Sequence, residues 1–197
     1  MPVRPDVQSH RTDRQLRLLR QTAAYERLEF VSLVAFRAQN HPQQLALRGA
    51  KSEVDNRATA PEIFEPLHRR FRFTVDACAS PDNAKLERFY SEADNGLIQS
   101  WAGERVWCNP PYSNIRPWVE KAWADPAELV VILVPANRTE QRWWQELIEP
   151  HRDRDDTLRV EFLPGRIRFI GQGRQSIGPN ERPPFGCCLL IFSHKAG

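Results

Sequence analysis

Four consecutive residues, Asn109, Pro110, Pro111 and Tyr112, have the most specific chemistry in the sequence, and they follow the apolar, strand-like stretch 105–108. Both prolines have a fixed φ angle and no N–H, so the chain should leave the strand through a rigid, extended corner. An amide oxygen and a backbone carbonyl at such a corner can accept both hydrogens of an exocyclic amino group. The tyrosine ring can stack on the flat base that carries this group. The tetrapeptide therefore predicts methyl transfer to an amino nitrogen.

Strand-like and helix-like segments alternate along the chain, and they would position this corner. Helices are predicted over 61–70, 118–124 and 140–148 and strands over 71–79, 105–108, 128–135, 159–163, 166–170 and 187–192, whereas 82–91 fits a short helix or a weak strand. The alternation favours an α/β sandwich with a mostly parallel sheet, in which the apolar run within 128–135 is typical of a central strand. The interval from Asp76 to Asn109 is short for the usual strands and helices, which predicts a sheet trimmed at one edge.

An ordered set of segments surrounds the corner between Thr59 and about Phe192. The set comprises 59–64, 73–80, 83–85, 94–97, Trp101, 108–113, Trp118 and 165–169. In this set the sequence resembles the phage and prophage DNA N6-adenine methyltransferases (Dam-like) of the AdoMet-dependent amino-methyltransferase superfamily. The resemblance implies a Rossmann-like AdoMet-dependent methyltransferase sandwich, S-adenosyl-L-methionine (AdoMet) as cofactor, and DNA as partner. It also implies that Asn109, Pro110, Pro111 and Tyr112 are the catalytic residues.

The end of the first predicted strand is assigned to the cofactor by this resemblance. Ligands of doubly wound sheets bind beyond the carboxyl ends of the strands, where Asp76 lies. The small residues Ala77, Cys78 and Ala79 follow, so a cofactor can approach the backbone closely. The Asp76 carboxylate would accept a hydrogen bond from the methionine ammonium of AdoMet or from water. The residues themselves also allow Asp76 to cap a following helix.

Further cofactor-binding residues are implied before and after that strand. Thr59, Ala60 and Pro61 begin a helix, where a hydroxyl and free N–H groups suit the methionine carboxylate. A plain helix cap by Thr59 is the alternative. Asn83 and Asp94 are assigned from the resemblance alone, Asp94 to the adenosine part of AdoMet. The chain departs from the family pattern in having Ala60 after Thr59 and no glycine after residue 79.

The mechanism that the resemblance implies begins with a weak nucleophile, because the lone pair of the adenine amino nitrogen is conjugated into the ring. The Asn109 side chain and the Pro110 carbonyl would accept both hydrogens and make the nitrogen tetrahedral. Positioning then supplies most of the acceleration, without a covalent enzyme intermediate. A base in duplex DNA would be flipped into the pocket and stacked on Tyr112.

Candidate DNA contacts are basic residues near two predicted loops. Net charge is +3, and basic residues predominate at both ends of the chain. The loop 171–184 carries Arg174 and Arg182, with the polar residues Gln172, Gln175, Ser176 and Asn180, and Arg138 and Arg142 lie beside two tryptophans. Arginine can grip phosphates and amides can reach base edges. A solvated hairpin, and core packing of Trp143 and Trp144, are the alternatives.

The length of 197 residues fits one catalytic domain, 51–197, preceded by an N-terminal helical extension, 1–50. The extension contains an amphipathic helix over about 12–38, which would pack on the domain, self-associate or touch DNA. No apolar run long enough for a membrane span and no signal peptide are present, so a cytoplasmic location is expected. The four cysteines form no C-x-x-C pair, so we expect free thiols and no metal. A monomer and a homodimer remain equally open.

Two other function classes remain compatible with the residues. The same pocket chemistry would suit the amino or amide groups of RNA adenine, cytosine N4 or protein glutamine. A module that binds AdoMet or DNA without catalysis is the third class, and the departures at residues 60 and 80 keep it open. The intact tetrapeptide argues against it, because a binding module has no need of those four residues.

Overall fold

The computed structural model of the chain describes Asp55 and residues 57–154, 156–171 and 185–193. The elements in these ranges are, in chain order, β1 (Ala58–Thr59), α1 (Pro61–Phe71), β2 (Val75–Asp76), β3 (Arg105–Cys108), α2 (Arg116–Ala124), β4 (Leu129–Pro135), α3 (Arg142–Leu147), β5 (Leu158–Phe162), β6 (Phe169–Ile170) and β7 (Cys187–Ser193). The predicted N-terminal helical extension, 1–50, lies outside the described residues.

Five of the strands form one sheet in the order β2-β3-β4-β7-β5. The strands β2, β3 and β4 run parallel, whereas β7 is antiparallel to both of its neighbours, β4 and β5. The sheet is therefore mixed: the predicted parallel arrangement holds for β2-β3-β4, and the other half is antiparallel. The carboxyl ends of β2, β3 and β4 meet at one edge, which is where open α/β sheets bind ligands.

The strands β1 and β6 form a separate antiparallel ribbon, in which Ala58 pairs with Ile170 and Thr59 with Phe169. The first turn of α1 follows β1 directly, with Pro61 in the position that tolerates a missing N–H. The ribbon therefore brings the start of α1 beside β6, although more than a hundred residues of chain separate them.

Helices cover both faces of the sheet. All seven residues of β4 are buried. One face of this strand, represented by Ile132, packs with Trp118 of α2 and Trp144 of α3. The other face, represented by Leu133, packs with Phe64 of α1. The described residues therefore form a mixed α/β structure with a helical layer on each side.

The region before β3 departs from the prediction of a long strand over 71–79. The helix α1 continues through Phe71, whose ring packs against Phe73, and Arg72 ends the helix in a left-handed conformation. Regular pairing is thus limited to Val75–Asp76. The ambiguous stretch 82–91 is neither a helix nor a strand, and its Phe89 forms a single bridge to Asp76. The strand β2 is therefore the edge of the described sheet.

The other predicted elements agree with the structure within about two residues, the usual uncertainty of an element's ends. The exception is the predicted strand 166–170, of which only Phe169–Ile170 is paired. The run before it contains Gly165 at φ 70°, a turn conformation that delays the start of the strand.

Candidate active site

A cavity of about 340 Å³ opens at the edge where β2 and β3 end. This volume lies within the range of about 300–1,000 Å³ that is usual for small-molecule sites. Its walls come from β1, from the chain after β2, from 83–96 and from the corner after β3. We call it the large cavity. The predicted site residues that line it are Thr59, Asp76, Ala77, Cys78, Ala79, Asn83, Asn109 and Pro111.

Three residues that were predicted to bind the cofactor are not among the described residues that line the large cavity. Ala60 is the cap of α1, and its carbonyl accepts the N–H groups of residues 63 and 64. Pro61 is exposed in the first turn of that helix. Asp94 is exposed, and its carboxylate accepts both the N–H and the hydroxyl of Ser91, at 2.8 and 2.6 Å. The assignment of these residues to AdoMet stays a prediction.

Asp76 is the buried charge of the large cavity, with only 2% of its surface exposed. Its carboxylate accepts the backbone N–H of Lys85 at 3.1 Å and that of Cys78 at 3.4 Å. Burial raises the pKa of the Asp76 carboxyl to about 6, and these two hydrogen bonds oppose the rise. The carboxylate is therefore costly to keep ionised until a positive or hydrogen-bond-donating group approaches.

Thr59 contributes a second buried polar group. Its side chain is 1% exposed, and its Oγ1 has no hydrogen-bond partner among the described residues. The alternative that Thr59 caps α1 is wrong, because Ala60 occupies the cap position and no side-chain capping bond is formed. A buried hydroxyl without a partner is unfavourable by about 1–3 kcal/mol, so Thr59 is suited to a ligand's polar group.

The large cavity depends on small residues where two chain segments touch. A Cβ atom on Gly96 would lie 2.1 Å from the carbonyl oxygen of Ala77, closer than any real contact. The Ala77 N–H in turn donates to the carbonyl of Trp107 in β3. Only glycine therefore lets the 94–97 turn close against the end of β2.

Eleven residues that line the large cavity had not been predicted as site residues, and five of them are Asp55, Arg57, Lys85, Tyr90 and Gly96. Gly96 and Lys85 belong to segments that the resemblance includes, but the resemblance assigned no role to either residue. Tyr90 lies in the ambiguous stretch, and no pattern singled it out. Asp55 and Arg57 also line the large cavity, and they precede every motif in the sequence. Only the folded chain brings them to the corner.

The corner after β3 presents two free acceptors, one on a side chain and one on the backbone. The Asn109 Nδ2 donates to the backbone carbonyl of Arg57 at 3.1 Å. A carbonyl only accepts, so this bond determines the orientation of the amide and leaves Oδ1 as the remaining acceptor. The Oδ1 atom is buried and has no hydrogen-bond partner in the part of the chain that the structure describes. Among the described residues, the Pro110 carbonyl also accepts no hydrogen bond. Two acceptors of adjacent residues are thus available.

A second, smaller cleft of about 30 Å³ adjoins this corner. Its walls include the rings of Tyr112, Phe169 and Phe185, and we call it the aromatic cleft. The Tyr112 ring meets each phenylalanine at a centroid distance of 6.1 Å. Burial raises the pKa of Tyr112 well above its ordinary value, so the phenol is neutral. Asn109, with Asp55 and Arg57, lines both the aromatic cleft and the large cavity.

The sequence also matches a known protein family. The match is to DNA N-6-adenine-methyltransferase (Dam) and covers residues 48–195, three quarters of the chain. The chain belongs to the Dam family. It is 38% identical over 152 residues to the DNA N-6-adenine-methyltransferase of Haemophilus phage HP1 (strain HP1c1), covering 74% of this chain and 83% of that protein. It is 33% identical over 139 residues to the DNA N-6-adenine-methyltransferase of Escherichia phage T1, covering 64% of this chain and 58% of that protein.

The candidate DNA-binding arginines of this Dam-family chain are only partly described. Arg138 follows β4 at the edge that carries the corner, and Arg142 begins α3 with 85% of its side chain exposed and an ion pair to Glu146. Arg174 and Arg182, with the rest of the loop 172–184, lie outside the described residues. Trp143 and Trp144 are buried in the core, which confirms the packing interpretation.

The cysteines of this Dam-family chain are all free, as predicted. Burial raises the pKa of Cys78 and Cys188 to about 12 and that of Cys187 to about 11, so these thiols are protonated at neutral pH. Within the described ranges, no three His, Cys, Asp or Glu side chains are grouped so as to hold a metal ion. No helix in those ranges is long and apolar enough to cross a membrane.

Proposed function

We propose that this Dam-family chain transfers a methyl group from AdoMet to the N6 amino group of adenine in DNA. The observation that carries the proposal is the free Oδ1 of Asn109 at the place where the large cavity and the aromatic cleft meet. A cofactor in the large cavity and a base in the aromatic cleft would then have their reacting groups beside this acceptor. The activity named for the two phage relatives agrees with this assignment.

The residues of the corner act on the amino group of the base. Asn109 Oδ1 and the Pro110 carbonyl accept its two hydrogens, which draws the lone pair of the nitrogen out of conjugation with the ring. AdoMet, when bound, supplies an electrophilic methyl group on a positively charged sulfur. The acceptors are in place before the base arrives, so little reorganisation is needed during the reaction.

The large cavity is the proposed AdoMet site, in a fold of the Rossmann-like methyltransferase type. Asp76 is placed to accept the methionine ammonium, which would compensate the cost of its buried charge. The unpartnered Thr59 hydroxyl suits a polar group of the same ligand. The volume and the closely packed small residues 77, 79 and 96 support this assignment.

The aromatic cleft is the proposed site of the target base. At about 30 Å³ it is far smaller than a purine site, so Tyr112, Phe169 or Phe185 must move before a base enters. An adenine extruded from a duplex would then stack on aromatic rings, which offsets part of the cost of unstacking. After transfer, the surplus proton of the nitrogen is lost without a strong base.

The test is transfer of tritium from methyl-labelled AdoMet to unmethylated double- and single-stranded DNA, with identification of the labelled nucleoside. We expect N6-methyladenine, and a rate at least about 10²-fold lower for Asn109→Ala, the cost of removing a preorganised electrostatic partner. Asn114→Ala, in an exposed residue of the same loop, is the matched control and should keep full activity. Binding of AdoMet without transfer to either DNA would disprove the proposal.

A further inference from the structure

The corner 109–113 has few ways to hold its own position. Pro110 and Pro111 have no N–H to donate, so the corner lacks the backbone bonds that usually stabilise a loop. Within the described residues its local hydrogen bond is the turn from the Asn114 N–H to the Pro111 carbonyl, at 2.9 Å. Within the same ranges, Asn109 and Ser113 make their other hydrogen bonds to one distant segment, through its residues Asp55 and Arg57, and the Tyr112 hydroxyl neighbours the Cys187 thiol.

This segment holds the corner at both ends. At the first end, the Arg57 carbonyl accepts from Asn109 Nδ2. At the second end, Asp55 uses both carboxylate oxygens on Ser113: Oδ2 accepts the hydroxyl at 2.6 Å and Oδ1 accepts the backbone N–H at 3.2 Å. The residue next to Ser113 is Tyr112. The amide that accepts the amino group is therefore tied to Arg57, and the residue next to the ring that faces the base is tied to Asp55.

We propose that Asp55 is a positioning residue for methyl transfer, which acts by holding Ser113 and thereby the Asn109–Tyr112 corner. The inference rests on the proposed function, because the corner is what it positions. An exposed hydrogen bond contributes little to stability. Misplacement of a catalytic group by about 1 Å, however, can lower a rate by about 10²-fold. The Asp55–Ser113 contact should therefore matter far more for turnover than for folding.

A direct role of Asp55 is the competing explanation, because Asp55 also lines both cavities. A carboxylate that contacted AdoMet or DNA would act whether or not residue 113 carried a hydroxyl. A carboxylate that acts through Ser113 loses most of its effect once that hydroxyl is removed. A double-mutant cycle separates the two explanations, because only contacting partners give non-additive effects.

The experiment compares Asp55→Ala, Ser113→Ala and the double variant in the methyl-transfer reaction. We expect kcat to fall about 30-fold for Asp55→Ala and about tenfold for Ser113→Ala, and the double variant to be within about twofold of Asp55→Ala. AdoMet affinity should stay within about threefold of wild type. Asp55→Asn, which keeps one acceptor oxygen, should recover part of the rate, and it replaces Asp55→Ala in the cycle if that variant does not fold.

The matched control removes a similar contact at the amino-terminal ends of β2 and β3, on the side of the sheet away from the corner. Thr74 Oγ1 donates to the Glu104 carboxylate at 2.6 Å, another hydroxyl–carboxylate bond between residues far apart in sequence. Thr74→Ala should leave kcat unchanged. Additive effects of the Asp55 and Ser113 substitutions, an unchanged kcat in Asp55→Ala, or a parallel loss of AdoMet affinity would each overturn the positioning role.

A second readout does not depend on activity. The chain has three tyrosines, Tyr25, Tyr90 and Tyr112, so NMR of a sample with labelled tyrosine rings gives few signals, and Tyr112→Phe assigns the one from the corner. Asp55→Ala and Ser113→Ala should shift or broaden the Tyr112 signal and leave the Tyr90 signal in place. An unmoved Tyr112 signal would overturn the inference. Absence of DNA methylation by the wild-type protein, with a shifted Tyr112 signal, would instead refute the proposed function alone.

Discussion

The parallel strands β2, β3 and β4 begin at one side of the sheet, the amino-terminal edge, and end at the other, the carboxyl-terminal edge. Polar side chains at these two edges differ in whether they are hydrogen-bonded. At the amino-terminal edge, Thr74 donates to Glu104, Arg88 pairs with Glu104 at 2.5 Å, and Arg105 pairs with Glu128. At the carboxyl-terminal edge, Thr59 Oγ1 and Asn109 Oδ1 are buried without a hydrogen bond to any described residue, and the buried Tyr112 Oη has the Cys187 thiol as its polar neighbour. In the part of the chain that the structure describes, buried side-chain atoms without a hydrogen bond are also found in His68 and Trp101.

We interpret this contrast as a division between polar groups that stabilise the fold and polar groups that are available to a ligand. A satisfied surface bond adds modestly to stability, whereas a buried unsatisfied group destabilises by about 1–3 kcal/mol. Substitutions at the amino-terminal edge should therefore change stability and leave binding alone. Substitutions at the carboxyl-terminal edge should weaken binding or turnover, and some of them should make the ligand-free protein more stable.

The largest effect is expected from adding one methyl group at the carboxyl-terminal edge. In Gly96→Ala the new Cβ would overlap the Ala77 carbonyl, so the turn must separate from the end of β2. We expect a loss of at least about 3 kcal/mol in unfolding free energy and more than about tenfold in AdoMet affinity. Urea denaturation and calorimetric titration measure the two quantities.

Gly103→Ala is the comparison at the amino-terminal edge. Gly103 has φ 71°, but nothing lies within 4 Å of an added Cβ. The cost is then only that of a left-handed backbone, about 1–2 kcal/mol, with no change in AdoMet affinity. If both substitutions lowered AdoMet affinity equally, the proposed difference between the two edges would be wrong.

The next effect is a dependence of stability on pH that arises from Asp76. Its carboxyl has a pKa of about 6 in the folded protein, against an ordinary value of 3.8. The folded state therefore holds this proton more tightly, and the stability that Asp76 contributes below pH 4 is lost as the pH rises to about 6. The loss is up to about 3 kcal/mol, at 1.36 kcal/mol for each pKa unit.

Asp76→Asn should remove this dependence. At pH 7 the variant should be more stable than wild type and bind AdoMet more weakly, because it lacks the charge for the ammonium. Wild-type AdoMet affinity should rise with pH through about 6, and that of the variant should not. Denaturation and titration between pH 4 and 8 test both statements, and a variant less stable than wild type at pH 7 would contradict them.

The smallest effect comes from a pair of threonines, one at each edge. Thr59→Val removes a buried hydroxyl that has no partner, so stability should stay the same or increase, while AdoMet affinity falls by about 1 kcal/mol, or roughly fivefold. Thr74→Val removes a bonded hydroxyl and should lower stability by about 1 kcal/mol without affecting AdoMet. If Thr59→Val destabilised the protein as Thr74→Val does, Thr59 would be a structural residue.

The elements that were predicted well are those whose own residues and immediate flanks show that they are buried. The run 129–135 is apolar at every position and rich in β-branched residues, and at this length such a run favours a fully buried strand over a helix. The strand 105–108 is bounded by Gly103 and by the prolines that follow Asn109, so both of its ends are marked. The antiparallel direction of β7 was not predicted, because a fully buried strand has the same run of apolar residues whether it is parallel or antiparallel to its neighbours.

The site residues divide in the same way. Asp76 and Asn109 could be predicted because each follows the apolar part of a predicted strand, where the topology of an α/β sheet places ligands, whereas Thr59 came from the resemblance. Asp55 and Arg57 could not, since their bonds reach 58 and 52 residues along the chain and no local pattern encodes such a contact. Asp94 was assigned by resemblance, but its carboxylate accepts a hydrogen bond from Ser91. The turn sequence does not show which of several nearby groups the carboxylate will bind.

The place of β7 in the sheet has a consequence for biosynthesis. This strand lies between β4 and β5, yet it follows both in chain order. As the ribosome makes the chain from its amino terminus, β2, β3 and β4 can assemble early, whereas β5 has no neighbour until β7 emerges. During that interval one side of β4 is an unpaired, wholly apolar edge, the kind of segment from which aggregation starts. The yield of folded protein therefore depends on how quickly the stretch between β5 and the end of β7 is translated.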